Sequence, residues 1–370
     1  MMKASQANLL PHSEAKVDLL KRYLGAYVGI LANNPFTDVV EIYDYFCGVG
    51  VFVNEKHGSP MVITQVICDF LKKNPGNTTR FKCHFNDRDA AKIEALEPTI
   101  RAIVPENETR FQITFGNENY LELLPKVIAH QKNSRKTKFF HFIDPYGYKD
   151  VCWSQIRTLL AGSNSEVLLF QPSTFLYRFK GKATTPDALK KFMDELGDDS
   201  HWPEGGDAWS HIANTTSLFR SNFPEGFVDS FTIEKDKGTI YCLFFFISHI
   251  LGFEKMLEAK WTLNDSTGRG WHYEVALTDD LFAKKPTPQV KELKDLIYKL
   301  FAESGSVTNG VLYEQTLRAG FLPKHSKLIL ETLEKAGRLR KMPDLKKGAF
   351  LINYDNAMKK PRIINFSLLP

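Results

Sequence analysis

The fold is decided by Glu41-Ile-Tyr-Asp-Tyr-Phe-Cys-Gly-Val-Gly50, a short apolar run that ends in an aspartate and a glycine turn. A second run of this kind, Phe139-Phe-His-Phe-Ile-Asp-Pro-Tyr-Gly147, follows later in the chain. Buried parallel strands are short apolar runs, and their carboxyl ends meet at one edge of the sheet. The two runs therefore predict strands whose acidic ends, Asp44 and Asp144, face each other across a ligand cleft.

Short apolar runs alternate with helical patterns over the first half of the chain, which is typical of βαβ units. Apolar residues at helical spacing predict a first helix at 14–33. Strands are predicted near 40–45, 81–86, 110–115, 138–143 and 166–171, and further helices near 59–73, 88–102, 119–132 and 150–161. The pattern predicts an α/β domain with a Rossmann-like sheet.

A late hairpin refines this class. The runs Val228–Lys235 and Thr239–Ser248 are joined by Asp236-Lys-Gly238, where glycine suits a turn with positive φ. An antiparallel pair closing a parallel sheet favours the Rossmann-like class I methyltransferases over nicotinamide-dependent dehydrogenases. The preceding residues, 178–225, are predicted to be a polar insertion with a helix at Pro186–Leu196.

The C-terminal part differs in charge and pattern. Residues 281–370 contain 17 lysines and arginines against 8 acidic residues, whereas the rest of the chain has 31 against 35. After a Lys-Pro-Thr-Pro linker at 285–288, helices are predicted at Val290–Glu303, Asn309–Arg318 and Pro323–Lys335, and strands at Gly337–Met342 and Gly348–Tyr354. Three helices and a hairpin predict a winged helix. The positive charge favours nucleic acid as partner, with a solvated lysine-rich face as the alternative.

These patterns predict a Rossmann-like domain at 1–280, a winged-helix-like domain at 286–356 and a tail at 357–370. The third helix of the second domain would be the recognition helix, with Lys324–Lys327 at its start. The predicted nucleic-acid contacts are Lys324, Lys327, Arg338, Arg340, Lys346 and Lys347.

The strand ends of the first domain carry the residue types that S-adenosylmethionine requires. Glycines in Phe46-Cys-Gly-Val-Gly50 let the backbone approach a ligand, and Asp44 can accept hydrogen bonds from its amino group. After the next strands, Asp87 or its neighbour Asp89 would hold the ribose hydroxyls, and Gly116-Asn117 would contact the adenine edge. The predicted donor-binding residues are Lys16, Asp44, Phe46, Gly48, Gly50, Asp87 and Asn117.

The acceptor would be held at Asp144-Pro-Tyr-Gly147, after the fourth strand. Asp144 would accept a hydrogen bond from an acceptor amine, backbone carbonyls near Pro145 would align the amine lone pair, and Tyr146 would stack on a base. Such a site acts mainly through orientation, and a base within a duplex must first be flipped out. Asp144, Pro145 and Tyr146 are thus the predicted catalytic residues.

Two residues allow two interpretations each. Cys152 is either a core thiol, the usual fate of free cysteines, or a nucleophile like that of cytosine C5 methyltransferases. Lys16 is either an exposed helix lysine or a cleft lysine near the donor. The five cysteines contain no Cys-x-x-Cys pair, so we expect reduced, mostly buried thiols, and no metal site or disulfide framework.

No segment has the pattern of a signal peptide. The longest apolar run, Thr239–Leu251, is shorter than the ~20 residues that span a bilayer. We therefore expect a soluble cytoplasmic protein with no membrane partner.

The chain resembles the three-Cys-motif partner (TcmP) family of bacterial and phage proteins over most of residues 12–262. The matching pieces are Lys16 with Leu20 and Tyr23, Asp44–Gly50, Gly58-Ser-Pro60, Asp144–Gly147 with Trp153, Glu166–Gln171 followed by Arg178, and Leu243–Lys260. The resemblance implies a Rossmann-like methyltransferase fold and an operon-encoded partner protein that carries the three cysteines. Related enzymes that methylate adenine N6 in RNA share the helix lysine and an Asp-Pro-Pro-Tyr loop. This chain differs from that loop in having Tyr146 and Gly147 in place of the second proline and the tyrosine.

The leading hypothesis is an S-adenosylmethionine-dependent methyltransferase acting on nucleic acid, with a base amino group as the favoured acceptor. The alternative is a catalytically degenerate Rossmann-like protein that binds nucleic acid as the partner of another protein, as the departure at Tyr146-Gly147 suggests. A nuclease or another base-modifying enzyme is disfavoured, because the sequence has no clustered set of metal ligands.

Overall fold

The computed structural model describes residues 9–147, 151–171, 186–197, 207–236, 239–272 and 289–369. These residues form two compact units. The first comprises the described residues up to His249 and Gly270–His272, and the second comprises Ile250–Arg269 and the described residues from 289 onwards. The predicted first domain, 1–280, differs from this division in that Ile250–Arg269 belongs to the second unit.

The first unit contains the predicted alternation of strands and helices. Its helices are α1 (Pro11–Ala32), α2 (Ser59–Lys73), α3 (Ala90–Ile103), α4 (Tyr120–Asn133), α5 (Trp153–Leu160), α6 (Asp187–Leu196) and α7 (Ala208–Asn222). Its strands are β1 (Val39–Asp44), β2 (Arg80–Asn86), β3 (Phe111–Gly116), β4 (Thr137–Ile143), β5 (Ser165–Gln171), β6 (Phe227–Asp236), β7 (Thr239–Ile247) and β8 (Gly270–His272). Every element predicted for this unit is present within a few residues, while α7 and β8 were not predicted.

The eight strands form one sheet in the order β3-β2-β1-β4-β5-β7-β6-β8. Strands β1 to β5 are parallel, whereas β7 is antiparallel to both β5 and β6. This order, with its late antiparallel hairpin, is that of Rossmann-like class I methyltransferases and confirms the predicted fold class of the first unit. Lys237 and Gly238, the predicted turn residues, lie outside the described part of the chain, as does Arg178.

The first helix is fixed to the sheet by two tyrosines. The Tyr23 hydroxyl donates a hydrogen bond to the buried Glu166 carboxylate of β5, and the Tyr27 hydroxyl donates to the Phe139 carbonyl of β4 at 3.1 Å. Burial raises the pKa of Glu166 to about 7, although the Tyr23 hydrogen bond and Lys138 oppose this. These anchors hold the N-terminal turns of α1 beside the carboxyl ends of β4 and β5, where Lys16 contacts Asp144.

The insertion between β5 and β6 packs on the sheet through helix α7. Phe219 of α7 is fully buried, and its ring lies 5.0 Å, centroid to centroid, from both Trp153 and Phe244. Helix α6 confirms the helix predicted at Pro186–Leu196. The described part of the insertion therefore contributes buried apolar side chains to the core of the first unit.

The second unit consists of helices α8 (Ile250–Leu263), α9 (Lys291–Ser304), α10 (Asn309–Arg318) and α11 (Pro323–Lys335), a π-helical turn (Asp355–Lys359), and strands β9 (Ser306–Thr308), β10 (Leu339–Met342) and β11 (Asn365–Leu368). The three helices predicted after the linker are confirmed. The strands form an antiparallel sheet in the order β10-β11-β9.

The strand predicted at Gly348–Tyr354 is wrong. Leu351 has a φ of 51°, in the left-handed region that interrupts a strand. The neighbouring Phe350 and Ile352 are buried, but they belong to no described β-strand. Strand β11, within the predicted tail, pairs with β10 in its place. The residues after 356 thus belong to the folded unit.

The cysteines are mostly buried, as expected. Cys47, Cys83 and Cys242 are buried, whereas Cys68 and Cys152 are half-buried. Among the described residues, no helix has both the length and the apolar composition needed to cross a membrane.

Candidate functional site

Asp44, the last residue of β1, is fully buried. Its Oδ1 accepts a 3.4 Å hydrogen bond from the Phe46 amide, whereas Oδ2 has no partner of normal hydrogen-bond geometry in the described part of the chain. Burial raises the pKa of Asp44 to about 7, with a further increase from Asp144, while the Ser59 hydroxyl, the Phe46 amide and Lys16 act in the opposite direction. Buried polar atoms are normally paired, so Oδ2 indicates a place for a ligand's donor group.

The turn after β1 depends on its glycines. Gly48 and Gly50 have φ values of 67° and 75°, in the region that favours glycine. A Cβ atom on Gly50 would lie 2.3 Å from Cδ1 of the buried Leu96, and the Gly50 carbonyl accepts a 2.6 Å hydrogen bond from the Gly58 amide. The turn therefore packs tightly against the protein at Gly50, whereas a Cβ atom on Gly48 would meet the Tyr146 hydroxyl at 3.9 Å.

Asp87 follows β2 and is engaged by four groups. Its Oδ2 accepts hydrogen bonds from the Gly48 amide at 3.2 Å, the Tyr146 hydroxyl at 2.9 Å and Lys92 Nζ at 3.3 Å. Its Oδ1 accepts from the Asp89 amide at 3.0 Å. Asp87 therefore joins the β1 turn, helix α3 and the loop after β4.

Asp89, the alternative to Asp87, has a local role. It is exposed, and its Oδ1 accepts a 3.2 Å hydrogen bond from the Ala91 amide as the N-cap of α3. The contact to the β1 turn therefore favours Asp87 as the ligand-binding carboxylate.

Tyr146, predicted to stack on an acceptor base, donates a hydrogen bond from its hydroxyl to Asp87. Lys92 Nζ is 2.6 Å from that hydroxyl and 4.3 Å from the ring centroid. Tyr146 thus links the loop after β4 to the carboxyl end of β2.

Lys16 of α1 forms an ion pair with Asp144 Oδ2. Its side chain is only 12% exposed, and Nζ lies 4.5 Å from the ring centroid of Phe170. The interpretation as an exposed helix lysine is therefore wrong, because Lys16 lies beside Asp144 at the carboxyl end of β4. Its charge acts on both Asp144 and Asp44.

Three rings lie next to this ion pair, and we call them the aromatic border: His12, Phe170 and Tyr241. Phe170 and Tyr241 pack with centroids 5.2 Å apart, and Tyr241 stacks on His12 at 5.5 Å. All three are partly exposed. The border places partly exposed aromatic rings next to Lys16.

Sequence reasoning missed Asn86, which ties three strand ends together. Its Nδ2 donates to the Tyr45 carbonyl at 3.2 Å and the Glu118 carbonyl at 3.0 Å, and its Oδ1 accepts from the Glu118 amide at 2.9 Å. Lys92 and Ser59 were also missed as site residues. Asn86 was detectable by its position immediately before Asp87 at a strand end.

The remaining predicted site residues make fewer informative contacts. Phe46 packs on Tyr120 with centroids 5.3 Å apart, Pro145 is buried, and Asn117 is exposed. Cys152 is half-buried at the start of α5, with Sγ 3.3 Å from the Ser154 hydroxyl. Cys152 is therefore not a buried core thiol. The roles predicted for Phe46, Pro145 and Asn117 stay predictions.

The predicted nucleic-acid contacts lie on the second unit. Lys324, Arg338, Arg340, Lys346 and Lys347 are exposed and Lys327 is half-buried. Within the described ranges, none of these six side chains forms an ion pair. Five of these charges are therefore exposed to solvent, although Lys347 also acts on Glu334 and Lys327 on Glu254.

His325 and Ser326, predicted at the start of a recognition helix, face the interior. The His325 ring lies 4.2 Å from the Trp261 ring of α8, and the Ser326 hydroxyl hydrogen-bonds that of Thr316. Burial, with a smaller contribution from Lys324, lowers the pKa of His325 to about 4. At this helix start, only the two lysines are available to a partner.

No protein-family model matches the chain, and no curated protein matches it. Among solved structures, it is similar to an O-methyltransferase from Bacillus cereus in complex with SAH, at 10% identity and a TM-score of 0.35 over 65% of this chain and 83% of that one. It is also similar to the O-methyltransferase TomG from Streptomyces achromogenes in complex with SAM, at 8% identity and a TM-score of 0.34 over 67% and 92% of the two chains. A loganic acid methyltransferase with SAH matches at 13% identity and a TM-score of 0.32 over 82% and 92%.

Proposed function

We propose that this protein is an S-adenosylmethionine-dependent methyltransferase that acts on nucleic acid. The observation that carries the proposal is the unpaired Oδ2 of the buried Asp44, at the carboxyl edge of a sheet with methyltransferase strand order. A cationic amino group is a suitable partner for this atom, and the donor carries one on its methionine end.

Other residues at the carboxyl edge of the sheet are suited to the ribose and the adenine of S-adenosylmethionine. The backbone at Gly48 has no side chain between it and a ligand, and a Cβ atom there would meet only the Tyr146 hydroxyl within 4 Å among the described residues. Asp87 is a carboxylate suited to ribose hydroxyls, and Asn117 is exposed where an adenine edge would be contacted. When bound, S-adenosylmethionine supplies an electrophilic methyl group on its sulfonium.

The acceptor half suits a planar base that carries an amino group. The ion pair with Lys16 uses Oδ2 of Asp144, and Oδ1 can accept a hydrogen bond from an exocyclic amine. The aromatic border beside it offers surface for stacking, which is worth about 1–3 kcal/mol per base. The role of these residues would be to orient the amine, because methyl transfer needs an in-line approach.

The second unit supports nucleic acid as the substrate class. Its order α9-β9-α10-α11-β10-β11 is compatible with the proposed winged helix, and its exposed basic residues carry charge for phosphate contacts. We further propose, on the resemblance to the TcmP family, an operon-encoded partner that carries the three cysteines.

Calorimetric titration with S-adenosylmethionine tests the donor half. We expect binding by the intact protein, loss of binding in Asp44→Asn, and unchanged binding in Asp18→Asn, which alters a half-exposed aspartate on the outer face of α1. Undetectable binding to the intact protein at millimolar donor would overturn the proposal.

Nucleoside mass spectrometry tests the acceptor half. DNA and RNA pools are incubated with the protein and isotopically labelled donor, and the labelled nucleoside identifies the acceptor atom. We expect Asp144→Ala to abolish transfer while donor binding persists. Labelling that is equal with and without Asp144 would contradict its assigned role.

A second candidate function is nucleic-acid binding without catalysis. It is favoured by the engagement of both acids: Asp144 is paired with Lys16, and Asp87 with Tyr146 and Lys92. Specific nucleic-acid binding that survives Asp44→Asn and Asp144→Ala, with no labelled nucleoside in any pool, would favour it over methyl transfer.

A further inference from the structure

The carboxylate of Asp87 is almost completely enclosed. It is 1% exposed, although it lies at the open carboxyl edge of the sheet. The Gly48 and Asp89 amides, Lys92 and Tyr146 all donate to it. A carboxylate accepts about four hydrogen bonds, so little capacity remains for a further ligand.

A ligand can therefore reach Asp87 only when one of these groups leaves. The Gly48 and Asp89 donors are backbone amides, fixed by the β1 turn and by the start of α3. Lys92 is largely buried and needs a counter-charge, which Asp87 provides. Tyr146 is 60% exposed and belongs to the loop after β4, so it is the partner that can leave at the lowest cost.

The position of Tyr146 overlaps with that of a donor. Its hydroxyl oxygen lies 3.9 Å from where a Cβ atom of Gly48 would be, so the phenol covers the glycine turn. Lys92 holds it there through the hydroxyl and the ring face. Tyr146 thus lies against both Asp87 and Gly48, the two residues at the carboxyl edge of the sheet that would contact a ribose.

We propose that Tyr146 competes with the donor ribose for Asp87 and so sets the affinity of the donor site. Resting on the proposed donor binding, this inference makes Tyr146 a group that must swing off Asp87 before the ribose hydroxyls bind. Because Tyr146 follows Asp144 and Pro145 directly, its release also moves a residue of the acceptor loop. Donor binding therefore precedes the final arrangement of the acceptor site.

The test is calorimetric titration of the full chain and of Tyr146→Phe with S-adenosylmethionine. Phenylalanine keeps the ring and removes the hydroxyl, so the competing state loses its hydrogen bond while the donor's contacts stay. We expect about tenfold tighter binding, since a hydrogen bond to a charged group is worth at least this factor. Tyr298→Phe is the matched control, because Tyr298 also has a lysine, Lys294, over its ring.

The sign of the change decides the outcome. Tighter binding by Tyr146→Phe, with Tyr298→Phe like the intact protein and equal thermal melting of all three, supports the inference. Unchanged or weaker binding by Tyr146→Phe overturns it and leaves donor binding intact. If neither the intact protein nor Tyr146→Phe binds the donor, the proposed function is overturned, and this inference with it.

Discussion

Lys16 of the first helix and Asp144 at the end of the fourth strand form an ion pair, 128 residues apart in sequence. Both side chains are largely buried, at 12% and 19% exposure. The pair connects a helix that crosses the sheet to the loop that would hold an acceptor. It therefore influences both the stability of the site and the charge that an acceptor meets.

Removal of the ammonium should destabilise the protein. We expect Lys16→Met to lower the free energy of unfolding by about 1–3 kcal/mol, because Asp144 is left partly buried and unpaired. In urea denaturation, Lys16→Met combined with Asp144→Asn should cost less than the sum of the single changes. Additive costs would show that the two charges are not energetically coupled.

Glu41 should make the free energy of unfolding depend on pH in the acidic range. This side chain on β1 is 1% exposed, and burial alone would raise its pKa, but His84, His130 and Lys82 together lower it to about 2. A carboxyl with a depressed pKa stabilises the fold above its unfolded pKa, and this contribution is lost as the pH falls through its folded pKa.

We therefore expect Glu41→Gln to cost about 3 kcal/mol at neutral pH, since one pKa unit is about 1.4 kcal/mol. The difference from the intact protein should shrink as the pH is lowered from about 4.5 towards about 2. Chemical denaturation over this pH range measures it. A constant difference would contradict the ion-pair origin of the effect.

Asp44 predicts a pH dependence of donor binding. Its pKa of about 7 means that it must lose a proton to pair with a cationic amino group. Affinity for S-adenosylmethionine should therefore rise by roughly 25-fold between about pH 5.5 and about pH 7.5, as the ionised fraction of Asp44 grows. Calorimetry at several pH values tests this, and a flat profile would remove Asp44 from the ammonium site.

The sequence was sufficient for those parts of the fold that repeat a local pattern. The alternation of apolar runs and helices predicted β1 to β5, and the acids after these runs predicted that Asp44, Asp87 and Asp144 share an edge. It was insufficient where tertiary contacts decide. Strand β11 is four residues long and forms between β10 and β9, and α7 has a largely polar sequence whose buried side includes Phe219. The direction of a loop side chain such as Tyr146 depends on distant partners.

Gly50 should tolerate no side chain. Alanine there would occupy a left-handed conformation and contact Cδ1 of the fully buried Leu96. We expect Gly50→Ala to lower the free energy of unfolding by about 2 kcal/mol or more. Gly76→Ala is the control, since a Cβ there meets no atom within 4 Å, and its effect should be within about 0.5 kcal/mol. Equal effects in thermal denaturation would contradict the role of the turn.

Lys346 and Lys347, both exposed on the second unit, should contribute to phosphate contacts. If they do, changing both to glutamine should weaken nucleic-acid binding and reduce the slope of log affinity against log salt by about 2, one for each lost contact. Lys359 and Lys360 provide the matched control, because they are exposed in the same unit but lie outside the predicted contacts. Fluorescence anisotropy over a salt series distinguishes the two variants. If both variants reduce the slope equally, net charge rather than a defined surface attracts the nucleic acid; if only the first does, the basic residues around 346–347 form the contact.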